Sequence, residues 1–169
     1  MNTRTSAGIL LFRRRHGVVE CLLVHPGGPF FGRKDAGNWS IPKGEPDPGD
    51  DDMELTARRE FEEETGQAVP TGRLIPLGSI KQKGGKIVYA WAIEGDLDTV
   101  TMSSNPIEIE WPPFSGRKKS FPEVDRWVYF GPEEARARIK EAQAPLLDRL
   151  EAALSDGPPG PRGAGPSID

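Results

Sequence analysis

Glu60, Glu63 and Glu64 stand at i, i+3 and i+4 within RREFEEETG, residues 58–66. On a helix this spacing projects all three from one side within roughly 100° of arc, and Glu62 points elsewhere. Like charges so placed repel, and a partly desolvated face of this kind needs a compensating charge. A divalent cation supplies it, and hard carboxylate oxygens suit Mg²⁺ or Mn²⁺. Arg59, four residues before Glu63, can orient that carboxylate by a charge-assisted hydrogen bond. The competing reading is an acidic helix face in water, the ordinary setting of a charge run.

The surrounding elements favour the first reading. Residues 53–65 lack Gly and Pro, follow an Asp run able to cap a helix, and end at Gly66, a C-terminal cap residue. Residues 25–52 are rich in Gly, Pro and Asp, with a short strand expected at 39–41; loops of this length in compact domains usually carry function. Strands are expected at 7–12 and 18–24, joined by a turn ending at Gly17, and at 74–80 and 87–93 around Gly84-Gly85. Two shorter strands, 107–111 and 126–130, enclose the basic loop SGRKKSF, residues 115–121. A helical stretch begins near Pro132 with a break at Pro145. Residues 155–169 read as a disordered Gly/Pro-rich tail on a single domain spanning 1–154.

With 169 residues and 36% hydrophobic content, the chain can bury one good core. The net charge of −4 argues against a general nucleic-acid surface, so a polyanionic partner must be met locally or through a metal. Cys21 is the single cysteine, which rules out an intrachain disulfide and fits a buried thiol in a reducing cytoplasm. The first 17 residues hold a short apolar stretch closed by arginines, and no apolar run nears membrane-spanning length. The expectation is a cytoplasmic protein with no membrane partner.

Residues 44–67, GEPDPGDDDMELTARREFEEETGQ, resemble the Nudix box, G-x5-E-x7-R-E-U-x-E-E-x-G-U, with U a bulky apolar residue. Arg59, Glu60, Phe61, Glu63, Glu64 and Gly66 fall on R, E, U, E, E and G without a gap. Counting back from Arg59 puts Asp51 at the first acid, and Gly44 is then one residue too far upstream. Gln67 stands at the last apolar position, with Val69 available for its packing role. NWSIPKGE, residues 38–45, is similar to the lead-in of many Nudix proteins, and the element order looks like their α/β/α sandwich, an α/β (α+β) fold with a mixed sheet.

The resemblance, to the MutT-like hydrolases in particular, implies Mg²⁺-dependent cleavage of a pyrophosphate bond in a nucleoside triphosphate or dinucleoside polyphosphate, by water attack at phosphorus, with Mn²⁺ a possible substitute. It implies that Glu60, Glu63 and Glu64 hold the metal, that the Gly44 carbonyl adds a ligand, and that Arg59 orients the glutamates. Glu60 is one candidate general base and Glu123, in SFPEVDRWVYF, another; Asp125 and Glu110 are further candidates. Lys43 sits in a Pro-Lys-Gly lead-in similar to those of dinucleoside polyphosphate hydrolases, where its amine could meet a phosphate. Two basic clusters could bind a phosphate chain as point charges: Lys81, Lys83 and Lys86, and Arg117, Lys118 and Lys119. Phe30, Phe31, Trp39 and Trp111 border loops and could stack on a base, whereas Trp91 and Trp127 lie in strand runs and suit the core. His16 and His25 have no ligand partner at metal spacing, and no Ser or Cys nucleophile constellation is present. The expected partner is a phosphorylated small molecule, a nucleotide, met by a monomer or homodimer. The alternatives are hydrolysis of ADP-ribose, a nucleotide sugar, capped RNA or a diphosphoinositol polyphosphate, or a catalytically silent nucleotide-sensing Nudix module.

Overall fold

In the computed structural model, which describes residues 4–31 and 35–156, the aliphatic run after Thr5 forms β1 (Thr5–Arg15), buried over residues 6–12. A two-residue turn, His16 (φ 52°) and Gly17 (φ 79°), returns the chain into β2 (Val18–Pro26). Both turn residues have positive φ, the geometry that matches strand twist in a tight hairpin. The arginines expected in the turn instead prolong β1, with Arg15 opposite Val18.

The main sheet has the order β4 (Ile75–Lys81), β5 (Ile87–Glu94), β1, β2, β8 (Val124–Phe130). The two-residue β3 (Lys43–Gly44) is laid antiparallel on β1, with Ala7 opposite Gly44. β1 and β5 run parallel and the other neighbours antiparallel, so the sheet is mixed. Side chains of β1 alternate between two cores. Ile9 and Leu11 pack with Ala57 and Phe61 of α1 (Met53–Thr65). Leu10 and Phe12 pack with Trp39, Leu146 and Leu150, below α2 (Pro132–Arg138) and α3 (Ala144–Asp156). The result is the expected α/β/α sandwich.

α1 has the expected bounds because both ends are capped as the residue types dictate. Asp52 Oδ1 accepts from the Leu55 N–H at 2.8 Å, and Gly66, at φ 75°, donates its N–H to Glu62 O at 2.8 Å. Phe61 is fully buried and anchors the helix, a burial that contributes about 1.5–3 kcal/mol.

Elsewhere the expectations need correction. Residues 39 and 40 make only isolated bridges, to Ile139 and Val24, and the short strand is Lys43–Gly44. The basic stretch 115–121 is not all loop: it supplies β7 (Lys118–Pro122), paired with β6 (Pro106–Glu110) in a separate ribbon. Its lysines are exposed and carry no apolar alternation, so the strand rests on pairing alone. The helical break falls at residues 139–143, and Pro145 occupies the first turn of α3, where its missing N–H costs nothing. α3 continues to Asp156, and the tail expected beyond it lies outside the described residues. Among the described residues no helix is long and apolar enough to cross a membrane.

Candidate active site

The site forms where β3 crosses the face of α1. Glu60 and Glu64 are buried, at 8% and 7% exposure, Glu63 is half-buried, and Glu62 is exposed, the division that helical spacing predicts. A side chain at Gly44 would collide with the Glu60 carboxylate, so glycine here lets the acid lie directly against the β3 backbone. Burial pushes the Glu60 carboxyl above its usual range, and the neighbouring Glu63 charge adds to the shift.

Arg59 gathers the acids from the other side. Its Nη1 donates to Glu60 Oε2 at 2.9 Å and Glu63 Oε2 at 2.8 Å. Its Nη2 donates to Glu45 O at 3.0 Å and Asp50 Oδ2 at 2.9 Å, and Nε adds Asp50 Oδ1 at 3.2 Å. The acid held by Arg59 is therefore Asp50, while Asp51, the residue reached by counting back from the arginine, is exposed. Counting forward from Gly44 in the G-x5-E pattern reaches Asp50, so the extra residue lies between the acid and Arg59. Asp50 also accepts from Thr56 Oγ1 at 2.8 Å and the Asp47 N–H at 2.9 Å. The Arg59 guanidinium and these donors hold its carboxyl well below the usual range.

Glu64 closes the site with Glu123 and Lys43. Its carboxylate meets the Lys43 backbone N–H, and its carboxyl and that of Glu123 lie beside each other. Burial raises both; the Glu123 charge adds to the rise at Glu64, and the Glu63 charge adds to the rise at Glu123, which the contact with Glu64 and the Lys43 charge partly offset. The backbone delivers Glu123 to this point: Asn105 N–H donates to Glu63 O at 3.0 Å, and Glu123 N–H donates to Asn105 O at 3.0 Å. Trp127 Nε1 holds Glu64 O at 2.6 Å from β8. Burial, with Lys140 and Lys86 nearby, lowers the Lys43 ammonium to about 8. Lys43, Glu64, Glu123, Ser40 and Lys140 line a cavity of about 140 Å³.

Among the described residues no three His, Cys, Asp or Glu side chains are gathered into a ready-made cation cage, because Glu60 and Glu63 lean on Arg59 and Glu64 on β3. The donor set nevertheless suits a hard divalent ion. It is all-oxygen and desolvated, and burial raises its carboxyls, a cost that a bound cation would offset.

Other sequence candidates are placed elsewhere. Trp39 is not a stacking surface: it is 1% exposed, donates Nε1 to Asp35 Oδ1 at 2.6 Å, and meets the Phe130 ring edge-on. Asp125 is turned to His25, which is buried and lies 2.8 Å away through Nδ1. Glu110 accepts from the Gly116 N–H inside the β6–β7 ribbon, which also carries Lys118 and Lys119. Phe30 and Trp111 meet edge-on with centroids 5.5 Å apart. Lys86 pairs with Glu45 at 3.6 Å, and Lys81 and Lys83 line a groove shared with Lys140. Lys140 and the buried Gln143 escaped sequence reading because Ser40, Ile41, Lys43 and Gln82, which they meet, stand about sixty to a hundred residues away, and because their own stretch reads only as helix. A separate groove of about 380 Å³, between the β1–β2 turn and α2–α3, contains none of the site residues.

The profile of the NUDIX domain family matches residues 2–150, and the chain belongs to that family. Among curated proteins no sequence relative matches. Solved structures similar to it include an Ap4A hydrolase binary complex from C. elegans, at 22% identity and TM-score 0.62, covering 91% of this chain and 99% of that one. The NUDIX domain of Shewanella oneidensis NrtR, complexed with ADP ribose, is similar at 16% identity and TM-score 0.62, covering 91% and 90%. A mutT/nudix family protein from Listeria innocua is similar at 18% identity and TM-score 0.59, covering 92% and 96%. At these identities the likeness shows the fold.

Proposed function

We propose that the protein hydrolyses a pyrophosphate bond in a nucleoside triphosphate or dinucleoside polyphosphate, using Mg²⁺, with Mn²⁺ able to replace it, and water attack at phosphorus. The observation that carries this reading is the desolvated acid group, with Glu60 packed against Gly44 and Glu64 and Glu123 beside Lys43. Glu60, Glu63 and Glu64 would hold the metal, with the Gly44 carbonyl at the same edge. The ion, when bound, neutralises phosphate charge and lowers the pKa of bound water.

The protein's own groups do the rest. Arg59, fixed by Asp50 and the Glu45 carbonyl, orients Glu60 and Glu63 without reaching substrate. Lys43 presents an amine to a phosphate oxygen. Glu123, whose burial raises its carboxyl and so its basicity, is the better-placed general base for accepting a proton from the attacking water, since Glu60 is occupied by Arg59. The buried free thiol of Cys21, pushed up to about 12 by burial, takes no part in this chemistry.

The test is to incubate purified protein and Mg²⁺ with nucleoside triphosphates, dinucleoside polyphosphates, ADP-ribose and nucleotide sugars while following phosphate products. Turnover of the first two classes, falling roughly 100-fold or more in Glu63→Gln and Glu64→Gln, is expected. Wild-type rates in both variants would sink the assignment.

A further inference from the structure

The cavity at the carboxylates, about 140 Å³, is small against the roughly 300–1,000 Å³ of typical small-molecule sites. Lys140 lines it and also lines a second groove of about 760 Å³, so the two spaces share a wall. Lys81, Gln82, Lys83 and Glu141 complete most of that groove, and the described residues that line it include no aromatic ring. Among the described residues that line it, three amines face one acid. In a chain of net charge −4, with more acids than bases available for pairing, no carboxylate pairs with Lys81, Lys83 or Lys140 among the described residues. Lys86, just outside, is the one tied to an acid, Glu45.

The groove walls are held in place. Gln143 is fully buried, donates Nε2 to Ser40 Oγ at 3.0 Å and Gln82 Oε1 at 2.8 Å, and accepts from the Ile41 N–H at 3.1 Å. These bonds tie the β4–β5 turn, which carries Lys81 and Lys83, to the segment that leads into Lys43. Lys140 itself is anchored through its N–H to Trp39 O at 2.8 Å.

We propose that Lys81, Lys83 and Lys140 form a second anion subsite, which takes the phosphate chain where it continues past the cleaved pyrophosphate. The protein thereby selects substrates with several consecutive phosphates over single-pyrophosphate compounds such as ADP-ribose. The position of the cleaved bond rests on the hydrolase reading above. A neutral sugar in this groove would displace water from the amines and return no charge, whereas each phosphate returns a charge-assisted hydrogen bond. With no ring to stack on, a base gains little there.

The test has two arms. In EDTA, binding of inorganic tripolyphosphate is measured by calorimetry for wild type, Lys140→Arg, and the double variant Lys83→Gln with Lys140→Gln, each checked for folding by circular dichroism. The double variant is expected to lose about tenfold or more in affinity, and Lys140→Arg to keep it. With Mg²⁺, the ratio of kcat/KM for diadenosine tetraphosphate over ADP-ribose is expected to fall about tenfold in the double variant, through KM. Unchanged tripolyphosphate affinity, or an equal fall for both substrates, overturns the subsite. A wild type that binds tripolyphosphate through these lysines yet cleaves none of the compounds supports the subsite and overturns the hydrolase reading. Turnover without any lysine-dependent preference overturns the subsite alone.

Discussion

Glu64 sits where charge is expensive, and that cost ties its stability effect to its proposed function. A carboxyl whose folded pKa lies above the unfolded value near 4.3 stabilises the fold at low pH, and that stability is lost as pH rises through the folded value. Once charged, Glu64 is therefore a liability that a cation would relieve. Glu64→Gln should raise the melting temperature in EDTA at pH 8 while removing turnover; a lowered melting temperature would contradict the account. Asp50 has the opposite sign. Its depressed carboxyl stabilises the fold above the unfolded value near 3.9 and loses that contribution as pH falls through the folded value. Asp50→Asn should flatten the acid limb of a stability–pH curve and cost about 10–100-fold in activity through Arg59, and Asp51→Asn should do neither. The glutamates were legible because helical spacing is local. Asp50 was not, because a one-residue insertion makes the count depend on which end it starts from.

At the scale of elements, β3 and α1 meet so closely that a single methyl decides the outcome. Gly44→Ala should place its Cβ in the Glu60 carboxylate and lower turnover by roughly 100-fold, with unchanged circular dichroism. Gln143 holds the loop before β3 to the β4–β5 turn. Gln143→Leu leaves the buried Ile41 N–H unpaired and should cost about 1–3 kcal/mol, read by urea unfolding. Caps and turns made α1 and the hairpins readable in the sequence. β3 was displaced by a few residues from its expected place because two residues of strand carry no periodicity, and β7 was hidden because its lysines carry no apolar alternation. Trp39 misled for a related reason: a loop residue can still be core when the loop packs over the sheet.

The whole molecule separates two cores, and the one under α1 supports the helix of the glutamates. Phe61 fills the core under α1, the helix of the glutamates, and Leu146 fills the core on the opposite face of the sheet. Phe61→Ala and Leu146→Ala should each destabilise, by about 3–5 and 2–5 kcal/mol respectively. Below their melting transitions, Phe61→Ala should also lose activity and Leu146→Ala should retain it. The most direct test of the central claim, that this carboxylate group is a metal site, is a Mn²⁺ titration followed by electron paramagnetic resonance on wild type and Glu64→Gln. Saturable binding in wild type, weakened about tenfold or more in the variant, is the predicted result. Equal binding by both proteins, or none by wild type, would contradict it.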